Sequence, residues 1–108
     1  MSGITVGIGP RSALDFEQLA VSTSAVPITA AILETYANGK RNQAIGATLS
    51  VTGGPVRFTV DGTTPTSAIG HYVGPEATFE IWGIINLKAL QLIRVSTDAS
   101  VAITTWSE

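Results

Sequence analysis

The sequence predicts an all-β protein, an antiparallel β-sandwich or jelly roll of about seven or eight short strands with an extended N-terminal arm. Short runs of β-branched residues recur along the chain, and apolar and polar residues alternate within them. Gly, Pro, Asn and Asp separate these runs. With 108 residues the chain has room for one hydrophobic core. We therefore expect an arm over residues 1–11 and a single domain over residues 12–108.

The clearest strand pair lies in the segment VRFTVDGTTPTSAIGHYV. Val56, Phe58 and Val60 alternate with polar residues, and this spacing places three apolar side chains on one face of a strand. Asp61-Gly62 ends the strand, and a polar loop leads to a second strand over residues 68–73. This pattern describes a scaffold without a catalytic constellation.

The N-terminal third of the chain is harder to assign. Residues 1–10 contain three glycines and a proline among isolated apolar residues, which is typical of an extended arm. Residues 12–20 fit either one or two helical turns with Ser12 as the N-cap, or a strand. We expect a strand over residues 26–37 with a short helical turn around residues 30–35, and then a polar turn or loop over residues 38–42.

The β pattern is firm after residue 44. Ile45, Ala47, Leu49 and Val51 share one face of a strand predicted over residues 44–52, and Gly53-Gly54-Pro55 turns the chain into the next strand. Further strands are expected over residues 77–82, 89–96 and 100–106. The breaks fall at residues 74–75, 83–86 and 97–98, and the last of these is predicted to be a hairpin turn that joins the final two strands.

Charged residues are sparse in this chain. They make up 13% of it, against about 25% in an average soluble domain, while 44% of residues are hydrophobic and the net charge is −2. This composition is typical of a subunit that buries much of its exterior against copies of itself or a larger partner. A β-protein that relies on hydroxyl groups for solubility fits the composition equally well.

Several classes of function are disfavoured by the sequence. The six basic residues are scattered and are offset by eight acidic ones, so we expect no nucleic-acid binding. The chain has no cysteine, which excludes disulfides and thiolate metal sites. We expect no secretory signal and no membrane span, because no apolar run approaches the length that either requires. The chain is expected to be made in the cytoplasm.

Local motifs for catalysis or metal binding are also missing. His71 is the single histidine, and a base there would need Asp61, Glu76 or Asp98 brought to it by the fold. A structural histidine at a sheet edge is the commoner case. Asp61 and Asp98 are predicted to stabilise turns rather than to bind a cation, because each is the one carboxylate in its turn. We therefore predict no catalytic, cofactor-binding or metal-binding residue.

Aromatic residues raise the alternative of a carbohydrate-binding β-sandwich module. An exposed platform on which a sugar stacks would use the following residues: Trp82, Trp106, Tyr36 and Tyr72. Trp82 and Trp106 are equally well placed for the edge of the core or for subunit contacts. We favour packing over ligand stacking.

Three segments resemble the small β-rich virion proteins of tailed bacteriophages: VRFTVDGTTPTSAIGHYV, EATFEIWG and LQLIRVSTDASVAITTW. The similar features are a strand containing an arginine, a D-G-x-x-P-T turn, a G-H pair and a closing R-x-x-x-D-A turn. The resemblance covers residues 43–106. It implies a structural protein without enzymatic activity. The preferred role is a head decoration or cement protein that binds the major capsid protein, and the alternative is a tail, neck or fibre-associated subunit.

That role implies residence in the virion and contacts between subunits. An apolar arm suits it, because such an arm can order against a neighbouring sheet edge in a dimer or trimer. Capsid stabilisation needs many such contacts and no chemistry. We predict that contacts with other copies or with the capsid involve these residues: Ile4, Val6, Ile8, Phe16, Leu19, Trp82 and Trp106.

Overall fold

The structure, a computed structural model, describes residues 12–37 and 40–107. The arm predicted over residues 1–11 lies outside the described residues. The described residues form ten strands, one turn of 3-10 helix (Ala30–Ile32) and one short helix, α1 (Ile84–Ala89). The strands are β1 (Ser12–Val21), β2 (Val26–Pro27), β3 (Glu34–Ala37), β4 (Lys40–Gln43), β5 (Gly46–Thr52), β6 (Val56–Thr59), β7 (His71–Val73), β8 (Thr78–Trp82), β9 (Gln91–Arg94) and β10 (Ala99–Ser107).

Eight of these strands form two four-stranded antiparallel sheets. The first sheet has the order β1-β10-β5-β8, and the second has the order β2-β9-β6-β7. Consecutive strands of these eight alternate between the sheets, except that β6 and β7 are paired neighbours in the second sheet, and this topology is that of a jelly roll. The β3–β4 hairpin is inserted between β2 and β5. The predicted all-β sandwich is confirmed, with eight strands in the two main sheets.

The core lies between the two sheets. The predicted alternation in β5 is confirmed, because Ala47, Leu49 and Val51 are each fully buried. Phe58 on β6 stacks on Phe79 on β8, with ring centroids 4.9 Å apart, and so connects the sheets near one edge. The other buried apolar residues of this cluster are Val21, Ile28, Ile32, Leu33, Ala44, Val56, Leu87, Leu90, Leu92, Ala99, Val101 and Ile103.

The two possibilities for residues 12–20 are resolved in favour of the strand. β1 pairs with β10 along its length, with one irregularity in register between Ala13 and Asp15.

Residues 26–37 contain two short strands around the 3-10 turn, as expected. The loop predicted over residues 38–42 is wrong for its second half, since β4 begins at Lys40 and pairs with β3. Asn38 and Gly39 lie outside the described residues.

Two other boundaries differ from the prediction. The strand expected over residues 68–73 begins only at His71, because the amides of Ala68 and Ile69 bond to the Thr66 side chain instead of a sheet partner. Where a break was expected, at residues 83–86, the helix α1 begins at Ile84. The strand expected from residue 89 therefore begins only at Gln91. Six residues are too few for a helical repeat to stand out in the sequence.

The final turn, at Thr97-Asp98, is not a hairpin. β9 belongs to the second sheet and β10 to the first, so this segment crosses between the sheets. Asp98 is structural, as predicted, because its Oδ1 accepts hydrogen bonds from Ser22 Oγ (2.9 Å) and Arg94 Nη1. The Ser22 bond, followed by the bond and charge of Arg94, holds the pKa of Asp98 below its ordinary value.

A loop over residues 60–70 covers the outer face of the second sheet. Arg57 faces outward from β6 and donates from Nε to the Ser67 carbonyl (3.1 Å) and from Nη1 to the Gly70 carbonyl (3.0 Å). Thr59 Oγ1 donates to the Thr63 carbonyl, and Pro65 is fully buried. The polar face of β6 therefore holds this loop in place instead of facing solvent.

Candidate interaction surfaces

The outer face of the first sheet brings three of the predicted contact residues together. In an antiparallel sheet, paired residues lie on the same face, as do residues two apart on one strand. Phe16 pairs with Thr104, which is two residues from Trp106 on β10. Gly46 on β5 pairs with Trp106 on one side and with Trp82 on the other. Phe16, Trp106 and Trp82 therefore lie on the same face. The resulting outer face consists of Phe16, Gln18, Ala20, Ser100, Ala102, Thr104, Trp106, Gly46, Thr48, Ser50, Thr52, Thr78, Glu80 and Trp82.

Glu80 is the one charged residue in this set, and it lies on the edge strand β8. Most of the other members are Ser, Thr or Ala, while Phe16 is 55% exposed. Depletion of charge with retention of aromatic side chains is the compositional mark of the centre of a protein interface. The outer face has this composition, and its members are exposed or half-buried except for Gly46, Thr48 and Trp106.

Side-chain hydrogen bonds across the strands satisfy many polar groups of the outer face. Gln18 Nε2 donates to Ser100 Oγ (2.5 Å), and the hydroxyls of Ser50 and Thr78 lie 3.3 Å apart. Thr52 Oγ1 donates to the Ser100 carbonyl (3.2 Å). When a binding partner displaces water, a hydroxyl that keeps a hydrogen bond within the protein costs less desolvation free energy than one left without a partner. The outer face is therefore better suited to desolvation than its serine and threonine content suggests.

The two tryptophans close one end of the outer face. Trp106 is only 8% exposed, and its Nε1 donates to Thr48 Oγ1 (3.0 Å). Trp82 lies across Gly46, where an added Cβ would fall 1.9 Å from ring atom Cε3, and its Nε1 donates to Glu80 Oε1 (3.1 Å). Trp106 therefore serves packing within the chain, while Phe16 and part of Trp82 stay accessible.

Gly46→Ala is expected to displace the Trp82 ring, because the new methyl group occupies the position of the ring. We expect a red shift of tryptophan fluorescence and a loss of about 1–2 kcal/mol of unfolding free energy, typical of overpacking. Gly74→Ala is the matched control, since its Cβ meets only Tyr72 Cε1 at an ordinary 3.9 Å. If the two variants have the same fluorescence and stability, the placement of Trp82 over Gly46 is wrong.

The size of the outer face limits how tightly it binds in a single contact. Four strands about 4.8 Å apart and about seven residues long span roughly 15–20 Å by 24 Å, or on the order of 400 Å². A stable one-to-one complex buries about 800 Å² on each partner. One copy of the outer face is thus expected to bind weakly, unless other contacts add to it.

Leu19, the remaining described contact residue, lies on the opposite side of β1. It pairs with Val101, which faces the core, and it lines an open groove of about 730 Å³. The groove follows the side of the sandwich where β1 and β2 are edge strands in the described sheets. We call it the edge groove, and it is lined by Leu19, Val26, Pro27, Ile28, Thr29, Ala30, Leu33, Glu34 and Lys88.

The structure does not assemble the aromatic platform expected of a carbohydrate-binding module. Trp82 and Trp106 lie on the first sheet, whereas Tyr72 lies on β7 of the second and Tyr36 on β3 of the hairpin. Tyr72 is 58% exposed, and the Arg57 guanidinium carbon lies 5.5 Å from its ring centroid. Ile69, on loop 60–70, is a further exposed apolar side chain.

His71 and Asp61 line one open depression of about 360 Å³ near the start of loop 60–70. Asp61 Oδ1 accepts the Thr63 amide (3.0 Å), and this bond, the largest of several causes, lowers the pKa of Asp61. His71 is on the edge strand β7, with its ring 5.2 Å from that of Phe58. Within residues 12–37 and 40–107, His71 makes no hydrogen bond to a carboxylate, and no three His, Asp or Glu side chains are grouped to hold a metal.

Of the predicted contact residues, Ile4, Val6 and Ile8 lie outside the described residues. The described part of the chain contains no helix long and apolar enough to cross a membrane. Comparisons with models of protein families, with curated proteins and with solved structures found no match to this chain.

Proposed function

We propose that this protein is a non-enzymatic structural subunit of a bacteriophage virion, a head decoration or cement protein that attaches to the major capsid protein. The single observation that carries the proposal is the outer face, which is nearly free of charge and whose members, apart from Gly46, Thr48 and Trp106, are exposed or half-buried. A surface of this kind binds another protein surface and performs no chemistry.

The topology supports this role by analogy. Double-sheet jelly rolls recur in viral capsid and lectin domains, so the architecture is compatible with an assembly function. The composition of the outer face is the stronger support, because function depends on sites and surfaces and not on the fold.

The limited area of the outer face also fits attachment to a lattice. A contact of on the order of 400 Å² is weak alone, but a second contact made by the same bound subunit can raise the overall affinity by about 10²–10⁴. A protein that binds the assembled particle but not its separate subunits also stabilises the particle by mass action. A decoration protein of this kind would bind the lattice much more tightly than it binds an isolated capsid protein.

Density-gradient fractionation of phage particles from the source culture tests the proposal. An antibody to this chain should detect it in the intact-particle fraction, and immunogold labelling should place it on the heads. Labelling confined to tails, necks or fibres would replace head decoration with the second virion role. Absence from every particle fraction would contradict the virion proposal altogether.

A further inference from the structure

One row of paired residues crosses all four strands of the outer face and joins an exposed aromatic side chain to the single carboxylate. Phe16 on β1 pairs with Thr104 on β10, which in turn pairs with Thr48 on β5. Thr48 pairs with Glu80 on β8. Three strand spacings of about 4.8 Å separate the backbones of Phe16 and Glu80, a distance of about 14 Å. The outer face therefore has an aromatic end and an acidic end.

The Glu80 carboxylate is held in place at the acidic end. Trp82 Nε1 donates to Glu80 Oε1 (3.1 Å), and Glu80 is exposed. Its neighbour in the row, Thr48, is fixed as well, because its hydroxyl accepts the Trp106 indole N–H (3.0 Å). An indole N–H is a neutral donor, so it leaves the negative charge of Glu80 in place. A side chain that is already oriented loses less conformational freedom when a partner binds it.

No basic side chain that the structure describes forms an ion pair with Glu80. Those basic side chains have other partners: Glu34 binds Arg41 and Lys88, Asp98 binds Arg94, and the carbonyls of Ser67 and Gly70 accept hydrogen bonds from Arg57. In the free protein, water solvates the exposed carboxylate. A protein surface that covers it removes this water, and a carboxylate buried without a cation is costly.

We infer that the surface bound by the outer face presents an arginine or lysine to Glu80, at the opposite end of the contact from the part that covers Phe16; this rests on the attachment to the capsid proposed above. The basic side chain supplies the positive charge and the hydrogen-bond donors that the carboxylate needs when water leaves. Because the charge lies at one end of the row, the pair also fixes the direction in which the outer face sits on its partner.

Two copies of the outer face do not meet this requirement. A twofold axis that superposes the two rows runs either along the row or across it. Along the row, each Glu80 faces the same residue of the second copy, and like charges repel. Across the row, each Glu80 faces Phe16 of the second copy, whose ring carries negative charge on its face. Neither arrangement gives the carboxylate a cation, so charge complementarity favours a different protein with a basic group.

Co-sedimentation of Glu80→Gln with phage particles that lack the protein tests this inference. Glutamine removes the charge but keeps an oxygen that accepts the Trp82 N–H. We expect at least about tenfold weaker binding, because the basic group of the partner loses its counterion. Glu76→Gln is the matched control, since Glu76 is exposed in the turn before β8 and lies outside the outer face. It removes the same charge and should bind as tightly as the unmodified chain.

Salt dependence supplies a second measurement. Binding of the unmodified chain and of Glu76→Gln should weaken as the concentration of sodium chloride rises, and the weakening should be smaller for Glu80→Gln. Both variants should unfold at the same urea concentration as the unmodified chain. Equal binding by the two variants would overturn the inference and leave the virion proposal standing. If the unmodified chain does not sediment with particles, the virion proposal fails and the basic partner of Glu80 fails with it.

Discussion

Ala102→Lys is expected to reduce attachment to phage particles by at least about tenfold at each contact, because it places an ammonium group in the middle of the outer face. Ala102 lies on β10 between Gln18 and Ser50, and its side chain is on the face opposite to the core. In the free protein we expect a lysine at this position to leave the fold intact, because Ala102 is only half-buried and the ammonium group can stay in water. On docking the charge must be desolvated without a partner, which is costly.

The measurement is co-sedimentation of the purified variant with particles that lack the protein, at a series of protein concentrations. Ser67→Lys is the matched control, because it adds the same charge to loop 60–70 on the opposite side of the sandwich. Both variants should unfold at the same urea concentration as the unmodified chain. If Ala102→Lys binds particles as well as Ser67→Lys does, the outer face is not the attachment surface.

Leu49→Ala is expected to lower the free energy of unfolding by about 3 kcal/mol, within the range of about 2–5 kcal/mol for buried leucines. Leu49 is fully buried, and β5 is an interior strand of the first sheet, paired with β10 and β8. Neighbouring strands on both sides restrict the collapse of the backbone into the cavity. A domain of this size has a total stability of about 5–15 kcal/mol, so the loss is a large fraction.

Urea denaturation measures this effect as a lower midpoint with an unchanged slope. The matched control is Ile85→Ala on α1, where the side chain is 75% exposed, and its stability should change by less than about 0.5 kcal/mol. A loss below about 1 kcal/mol for Leu49→Ala would show that β5 is not the centre of the core.

The alternation of side chains was sufficient to predict much of the fold. Every second residue is apolar in residues 45–51 and again in residues 56–60, and the structure has strands β5 and β6 there, with Leu49 and Val56 fully buried. The turn at Asp61 could also be predicted, because an Asp side chain that caps its own turn is a local effect. Where the pattern was short or mixed, as in β4 and α1, neighbouring elements decided the conformation.

The candidate surfaces required more than the pattern. Phe16, Trp82 and Trp106 were chosen as contact residues for their chemistry, but only the order β1-β10-β5-β8 places them on one face. The same order makes Thr48 and Thr104 their neighbours, although nothing in the sequence around these threonines marks an interface. The edge groove likewise depends on β1 and β2 lying at the same side of the sandwich.

By itself, then, the sequence determined the fold class, the strands with clear alternation and the scarcity of charge, because these depend on local geometry and composition. The tertiary structure alone decided the pairing of strands, the crossover at Asp98, the covering of the second sheet by loop 60–70 and the exposure of the first. Pairing joins residues far apart in the chain, such as Gln18 and Ser100, and it depends on how whole sheets bury their apolar faces together. No local pattern contains that information.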